Sequence, residues 1–172
     1  KVFEIIEAKK IFNINYNNLS ILIHPKSYVH SILKFKNGFS KLIIHDVDMK
    51  IPIYNSLYPI NKINIKTKNL DIKILNKLSF DPINVNRFPV VKILDMMPTK
   101  SSLFETILVS ANDELVRLFL NNKIKFNDIN KRLLKFITKS EFSSYKKTTP
   151  TSINDIIKLD EYVRLKINLK SV

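Results

Sequence analysis

The sequence has no cysteine, one glycine and three histidines in 172 residues. Without cysteine there is no disulfide framework, no thiolate nucleophile and no cysteine-ligated zinc site. A lone glycine, Gly38, excludes a Gly-x-Gly-x-x-Gly dinucleotide loop or a Walker-type phosphate loop within these residues. His24, His30 and His45 do not form a His-Glu-x-x-His pattern, so a self-contained zinc site is not expected. No apolar run approaches the ~20 residues needed to span a bilayer, and no membrane partner is expected.

Arginine is scarce as well. The 29 basic residues are 25 lysines and 4 arginines, set against 15 acidic residues for a net charge of +14. Such a charge invites a nucleic-acid reading. Recognition of bases and phosphates, however, favours the planar arginine fork. The lysines also run from Lys1 to Lys170 without gathering into a stripe. Lys, Asn and Ile are abundant together, as codons drifted in an AT-rich genome would make them. Apolar content of 45% is ordinary for a globular chain, and this length accommodates one or two small domains with a real core.

The clearest local signal is Asn37-Gly38 between the strand-like runs YVHSILKFK and FSKLIIH. Asn and Gly tolerate positive φ best, so the pair predicts a tight hairpin over 28–45 with a type I′ turn. Strict alternation places Tyr28, His30 and Ile32 on one face, and Val29, Ser31, Leu33 and Phe35 on the other. Upstream, KVFEIIEAKKIF predicts a helix with Val2, Ile5, Ile6, Ala8 and Phe12 on one stripe. LSILIH at 19–24 predicts a buried strand stopped by Pro25. Pro52 and Pro59 bracket a short helix over IYNSLY. Residues 60–84 predict a connection with one short strand near Leu78–Phe80, closed by a turn at Asp81-Pro82.

From Phe88 the period turns helical. FPVVKILDMM predicts a short helix ending before Pro98. Leu103, Ile107, Leu108, Ala111, Leu115, Leu118 and Phe119 share one helical face, and Ile129, Leu133, Leu134 and Ile137 another. Asn127 or Asp128 is placed to cap the second of these helices, and SSYKKTTPTS reads as a polar loop. Ser152-Ile-Asn-Asp155 has the spacing of a capping box ahead of a last helix. The expected fold class is α+β: a partial α/β domain with a small sheet and β-hairpin over residues 1–84, then an all-α bundle over 85–172.

Three sets of residues have chemical potential. Lys1 and Glu4 lie three apart at a helix start, where a carboxylate suits a hard divalent cation and a lysine beside free amides suits a phosphate; an ordinary solvated ion pair fits the spacing equally. His30 is a proton carrier or hydrogen-bond donor on a strand, or a satisfied structural histidine. Asp46 and Asp48 are an acid/base or metal pair, or the residues that end a strand and cap the next helix. His24 and His45 read as structural.

Taken in order, eight segments resemble the C-terminal part of the 1-deoxy-D-xylulose 5-phosphate reductoisomerase family. They are K-V-F-E-I-I-E-A at 1–8, I-H-P-K-S-Y-V-H-S at 23–31, D-M-K-I-P-I at 48–53, R-F-P at 87–89, A-N-D at 111–113 with F-L at 119–120, I-K-F-N-D-I at 124–129, S-I-N-D-I at 152–156 and D-E-Y-V-R at 160–164. The resemblance implies the second half of the central catalytic domain, which also supplies the dimer interface, over 1–84. It implies the C-terminal helical domain over 85–172. The implied reaction rearranges and reduces 1-deoxy-D-xylulose 5-phosphate to 2-C-methyl-D-erythritol 4-phosphate in non-mevalonate isoprenoid synthesis, with NADPH and Mg²⁺ or Mn²⁺, in a homodimer.

By the same resemblance, Glu4 is a metal-binding carboxylate that also touches substrate, Lys1 contacts the substrate phosphate, and His30 has a supporting role. The chain opens at Lys1, inside a helical pattern, and the remaining metal carboxylates, the phosphate-binding serines, the lid and the NADPH domain are expected upstream. Activity of these residues alone is therefore not expected. Departures from the family pattern are Val2 where many members have Gly, Lys26 for Gln, and Val109-Ser110 for Asn-Ala. An AT-rich source places the protein in the cytoplasm of a bacterial symbiont or in a plastid such as the apicoplast. The competing reading is a basic nucleic-acid-binding or scaffold domain without catalysis.

If the charge is a solvated surface, binding to a random oligonucleotide pool is weak and salt-sensitive, with Kd on the order of 10⁻⁴–10⁻⁶ M at physiological salt. Fluorescence anisotropy checks this. Nanomolar binding enriched for one motif would favour the competing reading.

Overall fold

The computed structural model describes residues 1–58, 65–69 and 71–169. In chain order its elements are α1 (Val2–Phe12), β1 (Leu22–Ile23), β2 (Val29–Lys34), β3 (Ser40–Ile44), α2 (Lys50–Leu57), α3 (Ile72–Leu75), β4 (Asp81–Pro82), α4 (Phe104–Leu120), α5 (Phe126–Ile137) and α6 (Ile153–Leu169). Short 3₁₀ helices lie at Tyr16–Asn18, Pro89–Met96, Ser140–Phe142 and Ser144–Lys146. The chain divides into two compact units, Lys1–Ile21 with Asn84–Val172, and Leu22–Ile83. The α+β class is as expected. The sequence places 1–84 together, whereas by packing residues 1–21 lie with the helical unit. Val2 and Ile6 are the reason, because both are buried in the cluster built by the C-terminal helices.

In the helical unit, α4 is the central element and packs against both α5 and α6. Phe104, Ile107, Leu108, Ala111, Leu115 and Leu118 recur every three or four residues and are almost wholly buried. Leu133 and Ile137 of α5, and Leu159, Val163 and Ile167 of α6, close over them. Burying each large side chain is worth roughly 1.5–3 kcal/mol, so this face decides the fold of the unit. The buried face of α1 is narrower than expected, with Val2, Ile6 and Lys9 in place of Ile5 and Phe12; Phe12 is 67% exposed. Asn13 ends this helix in the left-handed region, with φ 51°.

The helix starts differ in one case. Lys125, not Asn127 or Asp128, is the N-cap of α5, and Asp128 reaches back to accept from Lys125 N at 3.0 Å. At α6 the capping box forms as expected: Asp155 N donates to Ser152 Oγ at 3.3 Å, and Ser152 N to Asp155 Oδ2 at 3.0 Å.

The second unit departs further from the sequence reading. Its hairpin is present, but Gly38 alone takes positive φ (91°) and Asn37 does not. Gly38 N donates to Phe35 O at 3.1 Å, and Phe35 N to Phe39 O at 2.9 Å. The loop is therefore a type I turn followed by a left-handed glycine, the three-residue alternative to a type I′ turn. The strand expected over 19–24 contracts to Leu22–Ile23 and is not buried, since Leu22 is 47% exposed. The short strand expected near Leu78–Phe80 lies instead at Asp81–Pro82 and pairs with it, Leu22 opposite Pro82 and Ile23 opposite Asp81. The expected turn at Asp81-Pro82 is thus a strand pair, and Ile72–Leu75 forms a helical turn capped by Asp71. Pro59 and residues 60–64 lie outside the described residues.

A polar network ties α4 to α6. The Glu114 carboxylate, only 3% exposed, accepts from Arg117 Nε at 2.9 Å and Nη2 at 2.5 Å. Arg117 also donates to Asn168 Oδ1 at 3.2 Å. On the same seam Ser110 Oγ donates to Asp160 Oδ1 at 2.5 Å, and Arg164 Nε to Asp160 Oδ2 at 2.8 Å. Arg117 holds the Glu114 carboxyl below its ordinary value of 4.5, against the opposing effect of burial. A depressed carboxyl contributes stability that is present above the ordinary value and is lost as pH falls through the folded one. Replacing Arg117 by Ala should lower stability at neutral pH, because a buried carboxylate loses its main donor and keeps only the more distant Arg164 at 3.9 Å. The cost should shrink in acid, as thermal unfolding of both forms across pH will check.

Candidate active site

The two residues expected to carry substrate and metal chemistry meet at the start of α1. Lys1 is the N-cap, with no side-chain cap of its own, and its carbonyl accepts from Ile5 N at 3.0 Å. Lys1 Nζ donates to Glu4 Oε2 at 2.6 Å, with both side chains about 60% exposed (62% and 60%). That donation is the main reason the Glu4 carboxyl lies below its ordinary value. Val2 and Ile6 bury the opposite side of the same turn, so the exposed pair stands on an anchored helix end. The anchor continues along α1: Lys10 Nζ bonds Glu105 Oε2 of α4 at 2.6 Å, and Lys9 lies 5.2 Å over the Tyr16 ring. Burial, helped by the Glu105 charge, pushes the Tyr16 hydroxyl up to about 12.

Glu4 offers the hard oxygen that Mg²⁺ or Mn²⁺ prefers, but these ions take about six ligands. Among the described residues no group of three or more His, Asp or Glu is arranged to hold a metal. Glu4 thus fits as one ligand and not as a complete site.

His30 belongs to the other unit, and its setting was not foreseen. The β2–β3 register steps from Val29↔Ile44 to Ser31↔Ile43, so His30 is the extra residue of a β-bulge. The bulge breaks the alternation that would have set His30 on one face with Tyr28 and Ile32. Its ring instead stacks on His45, with centroids 3.5 Å apart and planes 3° from parallel. No pattern in the sequence announces a bulge, and His45 had no distinguishing signal. Two other expectations resolve to structure. His24 Nδ1 bonds Ser79 O at 2.9 Å and its ring lies against Phe80. Asp48 Oδ1 accepts from Lys50 N at 2.9 Å just ahead of α2, whose N-cap is Met49.

The same unit holds a cleft of about 590 Å³ whose lining includes Lys26, Tyr28, Asp48, Lys50, Lys66 and Lys68. Residues far apart in sequence converge there, which is why spacing did not reveal it. No helix among the described residues is long and apolar enough to cross a membrane.

With this geometry in view, comparison with known proteins is decisive. The DXP reductoisomerase C-terminal domain matches residues 45–166. The 1-deoxy-D-xylulose 5-phosphate reductoisomerase of Pelagibacter ubique (strain HTCC1062) is 58% identical over all 172 residues. The chain belongs to the 1-deoxy-D-xylulose 5-phosphate reductoisomerase family. The reductoisomerase of Clostridium botulinum (strain Alaska E43 / Type E3) is 32% identical over 164 residues, 95% of this chain. The chain spans less than half the length of these curated relatives, 44% of the first and 42% of the second.

Solved structures agree in fold. The reductoisomerase from Zymomonas mobilis in complex with NADPH superposes with a TM-score of 0.79 at 26% identity, covering 99% of this chain and 44% of that one. A DOX-P reductoisomerase in complex with NADPH, fosmidomycin and magnesium gives 0.86 at 24% identity, covering 99% of this chain and 43% of that one. The competing nucleic-acid or scaffold reading finds no support among these relatives.

Proposed function

We propose that these 172 residues are the C-terminal part of a 1-deoxy-D-xylulose 5-phosphate reductoisomerase and supply one wall of its active site. The observation that carries this reading is 58% identity to such an enzyme without a break in coverage of this chain. The exposed Lys1–Glu4 pair on an anchored helix end supports it. Residues 1–84 are read as the second half of the catalytic domain and 85–172 as the helical domain, in a homodimer in the bacterial cytoplasm.

In this role Lys1 donates to the phosphate of the substrate, beside the uncapped amides at the start of α1, and so fixes one end of it. Glu4 presents a carboxylate oxygen to the divalent cation and accepts from a substrate hydroxyl. The ion pair seen between them is the resting arrangement, and each group exchanges its partner when substrate enters. His30 is assigned only a supporting role. When bound, Mg²⁺ or Mn²⁺ polarises the reacting oxygens and NADPH provides the hydride.

The 172-residue chain alone should not oxidise NADPH with 1-deoxy-D-xylulose 5-phosphate and Mn²⁺ above a no-protein control. In the complete enzyme, Glu4→Gln keeps volume and removes charge, so turnover should fall by orders of magnitude and the metal requirement should rise. Lys1→Ala should weaken substrate binding by about 1.5–3 kcal/mol, the worth of a hydrogen bond to a charged group. Steady-state kinetics across metal and substrate concentration check both. Near-normal turnover of Glu4→Gln at ordinary metal concentrations would overturn the assignment.

A further inference from the structure

Each of the two stacked histidines points a ring nitrogen at a carbonyl oxygen. His30 Nε2 is 3.2 Å from His45 O, and His45 Nδ1 is 2.6 Å from Asp46 O. A carbonyl oxygen only accepts, so both nitrogens carry the hydrogen. In the neutral ring His30 is thereby the Nε2–H form, which leaves Nδ1 as the acceptor, and neutral His45 is the Nδ1–H form. Which ring nitrogen carries hydrogen is set by the bond that ring makes, and here both bonds are to backbone.

The bulge makes this possible. His45 N donates to Tyr28 O at 3.3 Å, which holds His45 beside the end of β2, and the extra residue brings the His30 ring over it. The flat stack at 3.5 Å restricts rotation of the otherwise exposed His30 ring about its own axis and keeps Nε2 on the carbonyl. Tyr28, 7% exposed, fixes the backbone on which the pair is built.

We propose that His45 is a positioning residue for His30: its ring and carbonyl fix His30 as the Nε2–H form, leaving Nδ1 as the nitrogen that accepts a hydrogen bond from a hydroxyl of the phosphorylated sugar substrate. The identity of that ligand rests on the function proposed above, whereas the fixed form of His30 does not.

The test uses the complete protein with ¹⁵N-labelled histidine, at about pH 8, above the ordinary histidine range. Long-range ¹H–¹⁵N spectra should give His30 as a single Nε2–H form and His45 as Nδ1–H, the less common form of free histidine. In His45→Ala the two ring nitrogens of His30 should move toward averaged shifts, and kcat should fall about ten- to a hundred-fold with little change in KM. His45→Phe keeps a flat face and the carbonyl, so it should restore both the His30 signature and kcat. A His30 signature unchanged in His45→Ala would overturn the positioning role. An altered signature with unchanged kcat would overturn the link to the substrate. Absence of turnover in the unsubstituted protein would instead sink the proposed function, and the spectra would still decide how His30 is held.

Discussion

Burial of Val2 and Ile6 in the helical core is the constraint on which the candidate active site depends. Two apolar side chains one helical turn apart lock the first turns of α1. The residues facing the other way, Lys1 and Glu4, then have a fixed origin while staying in water. A charged pair on a loose strand of backbone would lose that direction to entropy. From the sequence, Val2 reads as a departure from the family's expected Gly. Here its side chain is 4% exposed and adds to the anchor.

Charge inside the helical unit is handled by pairing rather than by exclusion. Glu105 and Glu114 are both almost wholly buried on α4, and each meets a basic partner, Lys10 from α1 and Arg117 from the next turn. Such pairs add little net stability over apolar packing, but they cost much when broken, so they select one arrangement of helices over its neighbours. Ser110 belongs to the same seam. From the sequence it reads as a departure from the family's expected Ala, and its hydroxyl finds Asp160 of the last helix. The departure is therefore compensated within this chain.

Helices were legible in the sequence because their period is enforced by a core that repeats it: Ile107, Leu108, Ala111, Leu115 and Leu118 are all inward. Strands were less so. Neither face of the hairpin is shut against a core in this structure, so alternation carried little information, and one inserted residue at His30 was enough to defeat it. The turn type went the same way, because Asn-Gly is compatible with two loop lengths and cross-strand register chose between them. At the candidate site the Lys1–Glu4 contact followed from helical spacing. The stack of His30 on His45 did not, since it joins residues fifteen apart through a bulge that local propensity does not encode.

The hairpin's openness has a colloidal consequence. β2 and β3 pair only with each other among the described residues, so each retains an outer edge of unpaired backbone groups. Ile32, Leu33, Phe35, Phe39, Leu42 and Ile43 around them are 40–72% exposed. Backbone edges flanked by apolar side chains are templates for strand addition, and proteins blunt them with charge, lysine above all. Lys34, Lys36 and Lys41 occupy that position here. Their repulsion acts over a Debye length, roughly 10 Å at 0.1 M salt and 3 Å at 1 M. Ionic strength thus sets how closely two copies of this hairpin approach before their edges join. These three lysines place repulsive charge beside the exposed edges of the hairpin.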